Sequence, residues 1–492
     1  MSDNYDVLVI GGGPGGTPAA MQLASRGKKV LLVEKSGKLG GACLFVGCIP
    51  SKIIKHAADE YVSISRAAFG GQAVSVDRSV VWRNIRETMD RILSSRSDAA
   101  LQRVKRIPGL TFVAGAARFT SNHEVEIEES GGKKKPCTFE QAIISTGSVP
   151  SLPLFGGNSA QNVLTSEMLF KQDALPESLV IIGGGPIGVE LAQMLAKLGV
   201  KCTIIEMLDT ILSGIVEPEF VNRLTQKLSD SGVGVYASSK VLKIERSGKD
   251  FSTSFTDAQG GIKTIQSHQV MVAAGRLPNV GDLNLEATGI QFSQKGIAVN
   301  EYLETQVKGI YATGDVIPGP KFAHTATYEA NIASANILKG NVQKADFSKN
   351  SWVLFSDPEV ASVGYTQAEA IHRGYEIITG SYNYEMDAAA QISGNPFGLL
   401  KFVVDKKTGQ IIGVHVFTRG AGSIIGEAAL IVSSKRTLQD VAQAIHPHPT
   451  LTEAFGVLAI NMLASIDAPL TGPRPERGSE GTQGRVEEGS KI

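Results

Sequence analysis

A close pair of cysteines is the first feature of this 492-residue sequence that could carry out chemistry. The segment GGACLFVGCIPSK holds Cys43 and Cys48 with four residues between them, at an expected loop that enters a helix. Two thiols at this separation can close into a small-ring disulfide. Lys52 follows one helical turn after Cys48, and both its charge and the helix N-terminus are expected to stabilise a thiolate. The pattern predicts a redox-active dithiol.

A metal site is the alternative use of two neighbouring cysteines. Zinc takes four protein ligands in structural sites, and the other two cysteines, Cys137 and Cys202, lie in unrelated strand-like segments. We therefore predict no metal. Four cysteines in a chain of this length also do not make a disulfide framework, which favours a reducing, cytoplasmic setting.

A histidine and a glutamate form the second candidate, near the other end of the chain. In AIHPHPTLTEAF, prolines hold His448 on a rigid, non-helical segment, and Glu453 follows at the start of a helical run. A carboxylate at that range can orient an imidazole and make it a better base. A purely structural pair is equally compatible with this pattern, and His446 is a competing imidazole within it.

Two copies of one longer pattern determine how these residues are positioned. Tyr5–Lys35 and Ser178–Met207 each read as an apolar strand, a glycine turn, an Ala/Leu-rich helix and a strand that ends in glutamate. In both copies the glutamate lies 18 residues after the last glycine of the turn. A glycine motif alone is weak, but two complete units at equal spacing predict two dinucleotide-binding folds.

Each glycine of these turns has its own expected role. The first permits a tight turn, the second lets the backbone approach a pyrophosphate, and the third lets helix and strand pack closely. In chain order they are Gly11, Gly13 and Gly16 in the first copy and Gly183, Gly185 and Gly188 in the second. The closing glutamates, Glu34 and Glu206, would accept hydrogen bonds from ribose hydroxyls. Because a carboxylate repels a 2′-phosphate, Glu206 favours NAD over NADP.

The segment between and after the two copies adds further elements. A helix is expected around Val80–Val104, strands around Thr111–Ile127, and a buried strand over Gln141–Ser148 that turns at Gly147. In IYATGDV, Asp315 follows a Thr-Gly turn at a strand end, where polyol hydroxyls are often held, although a turn aspartate is also common without a ligand.

The final part of the chain has a different pattern. From about Ser351 apolar and polar residues alternate, and LLKFVVDKKTGQIIGVHVF predicts a hairpin with Gly409 in its turn. Helices are expected at Ala421–Ser434 and Leu438–Ala444. The segment 471–492 is rich in Pro, Gly and charge and is expected to be disordered.

Length and charge limit the classes of function. A chain of 492 residues predicts about three domains, and 48 basic against 48 acidic residues argue against partners held by bulk electrostatics. No apolar stretch approaches the ~18 residues that span a bilayer, and the N-terminus lacks the features of a signal peptide. We expect no nucleic-acid or membrane partner, and a cytoplasmic location.

Together these motifs resemble the class I pyridine nucleotide-disulfide oxidoreductases, which are flavoproteins, and within them the enzymes that oxidise dihydrolipoamide. The resemblance runs from about Tyr5 to Met462. It rests on the paired glycine turns with GGACLFVGCIPSK, STGS, AAGRLPN, YATGDV, AHTATYEA, DPEVASVGYT and HPHPTLTEAF. Each piece alone is common, whereas the combination is specific.

The resemblance implies an α/β fold with two Rossmann-like dinucleotide-binding domains and a C-terminal α+β dimerisation domain. Residues 1–150 and 279–347 would bind FAD, 151–278 would bind NAD, 348–470 would form the interface domain, and 471–492 would be the tail. In this family the active site is shared between two subunits, so a homodimer is expected.

The resemblance also implies roles for the thiols and the base. Cys43 would be the interchange thiol that attacks the substrate disulfide, and Cys48 the charge-transfer thiol that faces the flavin. His448, supplied by the second subunit and oriented by Glu453, would take the proton from the dithiol substrate.

Further site residues are implied around the two cofactors. Lys52 would lie near the redox nitrogen of the flavin and pair with Glu190. The implied FAD contacts are Gly11, Gly13, Gly16, Glu34, Lys52, Gly115, Thr146, Gly147, Ser148, Gly314, Asp315 and Ala323. The implied NAD contacts are Gly183, Gly185, Gly188, Glu206 and Gly275.

The expected reaction is NAD-dependent oxidation of dihydrolipoyl groups to lipoyl groups, through FAD and a redox disulfide. The partner would be a lipoyl-carrying protein of a 2-oxoacid dehydrogenase complex, a glycine-cleavage system or another carrier. Glutathione-type reductases carry arginines where this chain has Glu206 and Met207, and mercuric reductases typically add a C-terminal cysteine pair that this sequence lacks.

Departures from the family pattern leave a second enzyme open. Ala42 replaces a hydroxyl residue and Phe45 an asparagine between the cysteines, and Ser423 stands where many relatives have an acid. The alternative is a related FAD/NAD(P)H disulfide reductase whose acceptor is a mercuric ion, a quinone or another disulfide. A non-enzymatic assembly subunit would be expected to have a broken site, and every expected catalytic position is present.

Overall fold

The computed structural model describes residues 3–65, 76–158 and 162–467 of the chain. The predicted tail at 471–492 lies outside these described residues. The strands in chain order are β1 (Asp3–Ile10), β2 (Val30–Glu34), β3 (Leu110–Ser121), β4 (Glu124–Glu129), β5 (Lys134–Ile144), β6 (Ser148–Pro150), β7 (Leu164–Thr165), β8 (Ser178–Ile182), β9 (Lys201–Ile205), β10 (Gly234–Tyr236), β11 (Lys240–Ser247), β12 (Asp250–Thr256), β13 (Ile262–Ser267), β14 (Gln269–Val272), β15 (Arg276–Pro278), β16 (Phe292–Ser293), β17 (Gly296–Ile297), β18 (Ile310–Ala312), β19 (Ser351–Leu354), β20 (Glu359–Gly364), β21 (Ile377–Asn383), β22 (Leu399–Asp405) and β23 (Ile411–Thr418).

The helices come from all parts of the described chain. In chain order they are α1 (Gly16–Ala24), α2 (Gly41–Phe45), α3 (Cys48–Ser65), α4 (Arg78–Lys105), α5 (Ser166–Leu169), α6 (Pro186–Lys197), α7 (Pro218–Asp230), α8 (Ala323–Lys339), α9 (Gln367–His372), α10 (Ala388–Ile392), α11 (Ala421–Ser433), α12 (Leu438–Ala442) and α13 (Glu453–Asp467). Across the three described ranges, none of them combines the length and the apolar content needed to cross a membrane.

A six-stranded sheet organises the first unit. β1 pairs in parallel with β2 on one side and β5 on the other, while β3 and β18 extend the sheet outward. Val7, Val9 and Ile10 of β1 are at most 5 % exposed, as expected for a parallel strand that is covered on both faces. β18 joins this sheet only after the chain has built a second one, so the first unit is discontinuous in sequence.

A second parallel sheet repeats the arrangement of the first. Its five strands follow the order β10-β9-β8-β14-β7, and β8-α6-β9 corresponds to β1-α1-β2. The antiparallel strands β11 to β13 pack against it through Phe251 and Phe255. The two predicted dinucleotide-binding folds therefore have the same central βαβ arrangement.

An antiparallel sheet forms the third unit, with the strand order β19-β20-β23-β22-β21. The predicted hairpin is β22–β23, with Gly409 at φ +70° in its turn. The predicted helices form as α11 and α12, each ending one or two residues earlier than expected. Helices α11 to α13 share one apolar core with this sheet.

The second and third units are joined by a shared apolar cluster. Phe220 of α7 stacks on Phe417 of β23 with ring centroids 5.7 Å apart, and both rings are at most 1 % exposed. Leu354 and Val360 of the third unit belong to the same cluster. The third unit thus fixes the position of the second within one chain.

One local prediction differs from the structure. The sequence predicted that Cys43 lies in a loop, but residues Gly41–Phe45 form the short helix α2. Gly40 and Gly41 have φ values of +129° and +59° and permit the sharp turn that precedes this helix. Cys43 is therefore held on a turn of helix rather than on an irregular segment.

Candidate active site

The two glycine turns have nearly the same geometry at the starts of α1 and α6. Gly11 and Gly183 have φ values of +109° and +115°, and a Cβ at either position would overlap a backbone carbonyl of the neighbouring strand end. A Cβ at Gly16 or Gly188 would overlap the carbonyl oxygen of the first glycine in its own turn. Packing within the protein therefore requires glycine at these four positions.

The middle glycine of each turn is not required by packing. A Cβ at Gly185 meets no atom within 4 Å, and one at Gly13 meets only the Cα of Gly41 at 3.7 Å. A pyrophosphate that rests on the backbone at a helix N-terminus would explain glycine at both positions. The two turns therefore fit a dinucleotide in each unit.

Glu34 and Glu206 occupy equivalent positions at the end of β2 and just after β9. Oε2 of Glu34 accepts the Gly12 amide at 2.7 Å, and Oε2 of Glu206 accepts the Gly184 amide at 2.5 Å. Oε1 of each glutamate accepts the backbone amide two residues further along. Each carboxylate is thus fixed beside its own glycine turn, where a ribose is expected.

The first unit gathers polar groups around Asp315. Oγ of Ser148 donates to Oδ2 of Asp315 at 2.6 Å, and Nε of Arg276 donates to Oγ of Ser148 at 2.8 Å. The pairing of β6 with β15 brings Arg276 beside Ser148. Arg276 lies within the motif AAGRLPN but the sequence interpretation did not assign it a role.

A buried hydroxyl beside this group has no partner from the protein. Oγ1 of Thr313 is buried and makes no hydrogen bond within the described residues. The neighbouring Gly314 amide donates to Oε2 of Glu329 at 2.5 Å, and burial raises the pKa of this carboxyl to about 7. Because buried polar atoms are normally paired, the Thr313 hydroxyl fits a site that holds a polar ligand such as FAD.

Thr146, Gly147 and Gly275 lie where the chain crosses between the first two units. Oγ1 of Thr146 donates to the Asn279 carbonyl at 2.7 Å, and the Asn279 amide donates to the Gly147 carbonyl at 2.9 Å. Gly275 has φ +107°, and a Cβ there would meet no atom within 4 Å. These residues therefore lie at the boundary between the first and second units.

Gly115 and Ala323 complete the positions predicted for FAD. Gly115 lies in β3, where a Cβ would come within 2.7 Å of the Glu128 carbonyl oxygen of β4, so strand packing already explains this glycine. Ala323 is the first residue of α8, and its amide belongs to the helix N-terminal amides that lack an intrahelical acceptor.

The two cysteines lie next to each other. Cys43 is in α2, Cys48 begins α3, and both are free thiols, each of which affects the pKa of the other. The hydrogen bond from Cys43, which outweighs the opposing effect of burial, and the charge of Lys52 lower the pKa of Cys48 to about 7. The same hydrogen bond, together with burial, raises the pKa of Cys43. At neutral pH Cys48 therefore has thiolate character and Cys43 is its proton donor.

Lys52 and Glu190 form an ion pair between α3 and α6. Nζ of Lys52 lies 2.8 Å from Oε2 of Glu190, and Glu190 is 8 % exposed. The positive charge of Lys52 lowers the pKa of Cys48, whereas the negative charge of Glu190 raises it. One element of the first unit and one of the second thus place opposite charges beside the same sulfur.

His448 and Glu453 are hydrogen-bonded to each other on the third unit. Nδ1 of His448 lies 3.0 Å from Oε1 of Glu453, and the Thr450 amide donates to Oε2 at 2.9 Å. The Thr450 amide and then the imidazole lower the pKa of Glu453. The His448 side chain is 72 % exposed, and its Nε2 makes no hydrogen bond within the described residues. This nitrogen is free to exchange a proton.

His446 has a different environment. Its Nε2 lies 2.8 Å from Oε1 of Glu427, and its side chain is only 10 % exposed. This imidazole is largely covered and is paired with a carboxylate of α11. Of the two histidines in the motif, His448 is therefore the accessible one.

One chain brings together only part of the predicted site. Cys43, Cys48, Lys52 and Glu190 lie within one network, at the junction of α2, α3 and α6. In the described ranges, no hydrogen bond or ion pair connects His448 to this network. The structure leaves the imidazole exposed on the third unit.

The departures in the cysteine segment, defined as Gly40–Lys52, can also be located. Phe45 ends α2, and Nζ of Lys38 lies 5.7 Å from its ring centroid. Ala42 is exposed, and Ser423 lies in the first turn of α11, where its amide donates to the Gly420 carbonyl.

Phe355 is a residue of this site that the sequence interpretation missed. Nζ of Lys52 lies 4.2 Å from its ring centroid, and its amide donates to Oε1 of Glu190 at 2.8 Å. Phe355 lies two residues before the DPEVASVGYT motif of the third unit, yet no spacing in the sequence relates it to Lys52. Among the described residues, no group of three or more His, Cys, Asp or Glu side chains could hold a metal ion.

Two family models match the chain. The model for pyridine nucleotide-disulphide oxidoreductases covers residues 5–330, and the model for the dimerisation domain of these enzymes covers residues 350–459. The second match assigns the third unit to self-association of the chain.

Similar proteins extend over almost the whole sequence. The mitochondrial dihydrolipoyl dehydrogenase of Pisum sativum is 34% identical over 95% of this chain and 93% of its own length. The dihydrolipoyl dehydrogenase of Geobacillus stearothermophilus is 36% identical over 91% and 94% of the two chains, and a leghemoglobin reductase of Glycine max is 33% identical over 95% and 89%.

A solved structure has the same fold. The HOCl-induced flavoprotein disulfide reductase RclA from Escherichia coli, as its Cu(II) complex, superposes with a TM-score of 0.83 at 23% identity, over 94% of this chain and 100% of its own. At that identity the similarity concerns the fold alone. With the family models and the relatives above 30% identity, the chain belongs to the pyridine nucleotide-disulphide oxidoreductases, whose cofactors are FAD and a pyridine nucleotide.

Proposed function

We propose that this protein oxidises dihydrolipoyl groups to lipoyl groups and transfers the electrons through FAD to NAD. The observation that carries the proposal is the pair of free thiols Cys43 and Cys48 on the adjoining helices α2 and α3, in which the pKa of Cys48 is lowered to about 7 by Cys43 and by the charge of Lys52. A dithiol with one low-pKa sulfur is suited to thiol–disulfide exchange. The relatives named as dihydrolipoyl dehydrogenases support the same substrate.

The exchange begins from the oxidised Cys43–Cys48 disulfide. A substrate thiolate attacks the sulfur of Cys43, the S–S bond breaks, and Cys48 leaves as a thiolate. The second substrate thiol then attacks the mixed disulfide, which closes the lipoyl disulfide and releases Cys43. Because Cys48 has the lower pKa of the two, it is the better leaving group.

His448 acts as the base that deprotonates the substrate thiols. Glu453 holds its Nδ1, which leaves Nε2 available for the substrate. The imidazole lies on the dimerisation domain and is exposed, which supports a site completed by His448 from a second copy of the chain. We propose that the homodimer is the catalytic unit.

The cofactor sites follow the two glycine turns. FAD would be held by the first unit, through its glycine turn, Glu34, Ser148 and Asp315, and NAD by the second. When bound, FAD supplies a two-electron relay from the dithiol to the nicotinamide. Each turnover converts one dihydrolipoyl group and one NAD⁺ into a lipoyl group, NADH and a proton. Residues 1–150 with 279–347, 151–278 and 348–470 are the proposed FAD, NAD and interface domains.

Glu206 supports NAD rather than NADP as the acceptor. Its carboxylate is fixed beside the Gly184 amide, and the next residue, Met207, brings no positive charge to bind a 2′-phosphate. The partner would be a lipoyl-carrying protein, and the scarcity of cysteines supports action in the cytoplasm.

A second candidate retains the redox chemistry and changes the disulfide. Phe45 places a ring between the two cysteines in sequence, with the Lys38 ammonium 5.7 Å from its centroid. A bulky group in the cysteine segment can exclude a lipoyl arm and admit another acceptor. A leghemoglobin reductase is among the similar proteins, so neighbours of this kind differ in their substrates.

The test compares acceptors and two cysteine variants. NADH-linked rates are measured with lipoamide, glutathione disulfide and mercuric ion; we expect lipoamide to be the fastest, and the second candidate is favoured if it is not. Cys48→Ser should lose turnover while it retains FAD. Cys137→Ser, at a buried cysteine of β5, is the matched control and should keep its activity. A fully active Cys48→Ser variant would contradict the mechanism.

A further inference from the structure

Phe355 contacts both members of the ion pair next to the redox thiols. Its ring centroid lies 4.2 Å from Nζ of Lys52, and its backbone amide donates to Oε1 of Glu190 at 2.8 Å. The other carboxylate oxygen of Glu190 binds Lys52 at 2.8 Å. Lys52, Glu190 and Phe355 therefore form a closed triangle of contacts.

The backbone around Phe355 is anchored on α6. The Asp357 amide donates to Oε1 of Gln193 at 2.7 Å, and Nε2 of Gln193 donates to the Asp357 carbonyl at 2.7 Å. Lys197 also forms an ion pair with Asp357 at 2.5 Å. Gln193 and Lys197 lie one turn apart on α6 and both hold Asp357, just after the end of β19. The position of the Phe355 ring is therefore set by α6 as well as by β19.

The position of Lys52 matters because two opposite charges act on Cys48. Cys43 of α2, Lys52 of α3 and Glu190 of α6 are the titratable groups with the strongest effects on this sulfur. Lys52 favours the thiolate and Glu190 opposes it. A small displacement of the ammonium toward the carboxylate would change the balance between them.

We infer that Phe355 is a positioning residue of the redox site, which holds the Lys52 ammonium over its ring and the Glu190 carboxylate on its amide and so sets the charge that Cys48 experiences. The face of an aromatic ring attracts a cation, and the attraction is larger where water is excluded. Phe355 comes from the dimerisation domain of the same chain. The inference rests on the proposed redox role of Cys48.

The test measures the ionisation of Cys48 directly. In a Cys43→Ser background, Cys48 is the accessible thiol, because Cys137 and Cys202 are at most 3 % exposed. The rate of alkylation by iodoacetamide is followed against pH in the FAD-containing protein. Phe355→Leu keeps the backbone amide and an apolar side chain but removes the ring, and Phe355→Met does the same with a second side chain.

The ring variants should raise the pH midpoint of alkylation. We expect an upward displacement of about 0.5 pH unit for Phe355→Leu and Phe355→Met, which lowers the alkylation rate near pH 6.5 about threefold. Phe355→Tyr retains the ring and should restore the original midpoint. A merely structural role for Phe355 would not distinguish Tyr from Leu in this way.

A matched control exists elsewhere in the chain. Nζ of Lys227 lies 4.2 Å from the ring centroid of Phe397, outside the redox site. Phe397→Leu removes an equivalent contact and should leave the Cys48 midpoint unchanged. An unchanged midpoint in both Phe355→Leu and Phe355→Met would overturn the inference. Because alkylation needs neither substrate nor NAD, that result would leave the proposed reaction intact.

Discussion

Nδ1 of His448 lies 3.0 Å from Oε1 of Glu453, on a part of the third unit where the imidazole is exposed. The carboxylate is held in place by the Thr450 amide as well. Glu453 therefore orients an imidazole that has no other partner among the described residues. This arrangement is what a base needs before a substrate arrives.

Removing the charge of Glu453 should slow the reaction. We predict that Glu453→Gln lowers kcat about 10- to 100-fold, because the imidazole loses its anionic partner. Steady-state rates with dihydrolipoamide and NAD measure this. Glu427→Gln alters the comparable pair at His446 and is the control, with an expected change of less than about threefold. Equal losses in both variants would remove the special role of Glu453.

The Glu453–His448 pair also predicts how the rate depends on pH. The Thr450 amide and the imidazole hold the pKa of Glu453 below its usual 4.5, so the carboxylate stays charged as the pH falls to that value. We therefore expect protonation of Glu453 to add no titration step to the pH profile of the rate above about pH 4.5. Comparing the pH profiles of the parent protein and Glu453→Gln tests this, and a second titration step above about pH 4.5 that is present in the parent protein and absent in Glu453→Gln would contradict it.

Two glycine substitutions should distinguish the FAD site from the NAD site. A Cβ at Gly16 would overlap the Gly11 carbonyl, and one at Gly188 would overlap the Gly183 carbonyl. We predict that Gly16→Ala is purified with less FAD, whereas Gly188→Ala retains FAD and shows a KM for NAD raised about tenfold or more. FAD content and NAD saturation curves measure this. At Gly281 a Cβ meets no atom within 4 Å, so Gly281→Ala should leave both the FAD content and the KM for NAD unchanged.

Glu206 should control the choice of nucleotide. We predict that Glu206→Gln lowers kcat/KM with NAD about tenfold and raises it with NADP, because a charged hydrogen-bond acceptor and the repulsion of a 2′-phosphate are both removed. Glu34→Gln changes the equivalent residue of the first fold and should affect FAD retention without altering the ratio of NAD to NADP. If the ratio of kcat/KM with NAD to kcat/KM with NADP is unchanged in Glu206→Gln, then Glu206 does not determine the preference for NAD.

A buried ion pair joins the second and third units. Oε2 of Glu217 lies 2.9 Å from Nζ of Lys401, and both side chains are at most 10 % exposed. Glu217→Gln leaves the buried Lys401 charge without an anionic partner, with only the neutral side-chain oxygen of Gln367 beside it, so we predict a loss of about 3–5 kcal/mol in the free energy of unfolding. Denaturant unfolding measures this. Glu376→Gln breaks the exposed pair with Lys406 and should cost less than about 1 kcal/mol.

Acid should weaken the same junction. Burial lowers the pKa of His415 below its usual 6.5, and its ring nitrogens bind Oγ of Ser362 and the Tyr365 carbonyl. The unfolded chain therefore binds more protons at this residue than the folded chain does just below pH 6.5, and stability falls as the pH falls from that value. Thermal melts at pH 7.5 and pH 5.5 should show a lower Tm at the acid pH, and a smaller difference is expected in His415→Gln.

The sequence was sufficient for the parts of the fold that repeat or alternate. The equal spacing of Glu34 and Glu206 from their glycine turns predicted two βαβ units, and both are present. The hairpin around Gly409 was predicted from two strand-like segments with a glycine turn between them, and both strands are buried along almost their whole length. These features depend on residues that are close together in the sequence, so one amino-acid sequence is enough to predict them.

Features that depend on distant residues could not be predicted. Phe355 meets Lys52 only because α3, α6 and the end of β19 converge, and no motif relates their positions in sequence. The roles of Arg276 and Glu329 are similar, since strand pairing and helix packing bring them to Ser148 and Gly314. The short helix that carries Cys43 was also missed, because five residues are too few to show a helical period.

The most direct measurement is the rate at which the purified, FAD-containing protein reduces NAD with dihydrolipoamide as the electron donor. Parallel reactions contain NADP in place of NAD. The proposed function predicts fast reduction of NAD and little reduction of NADP, and loss of both in Cys48→Ser. A negligible rate with NAD in a protein that holds its FAD would contradict the proposal and favour a different disulfide, with Phe45 as the first residue to examine.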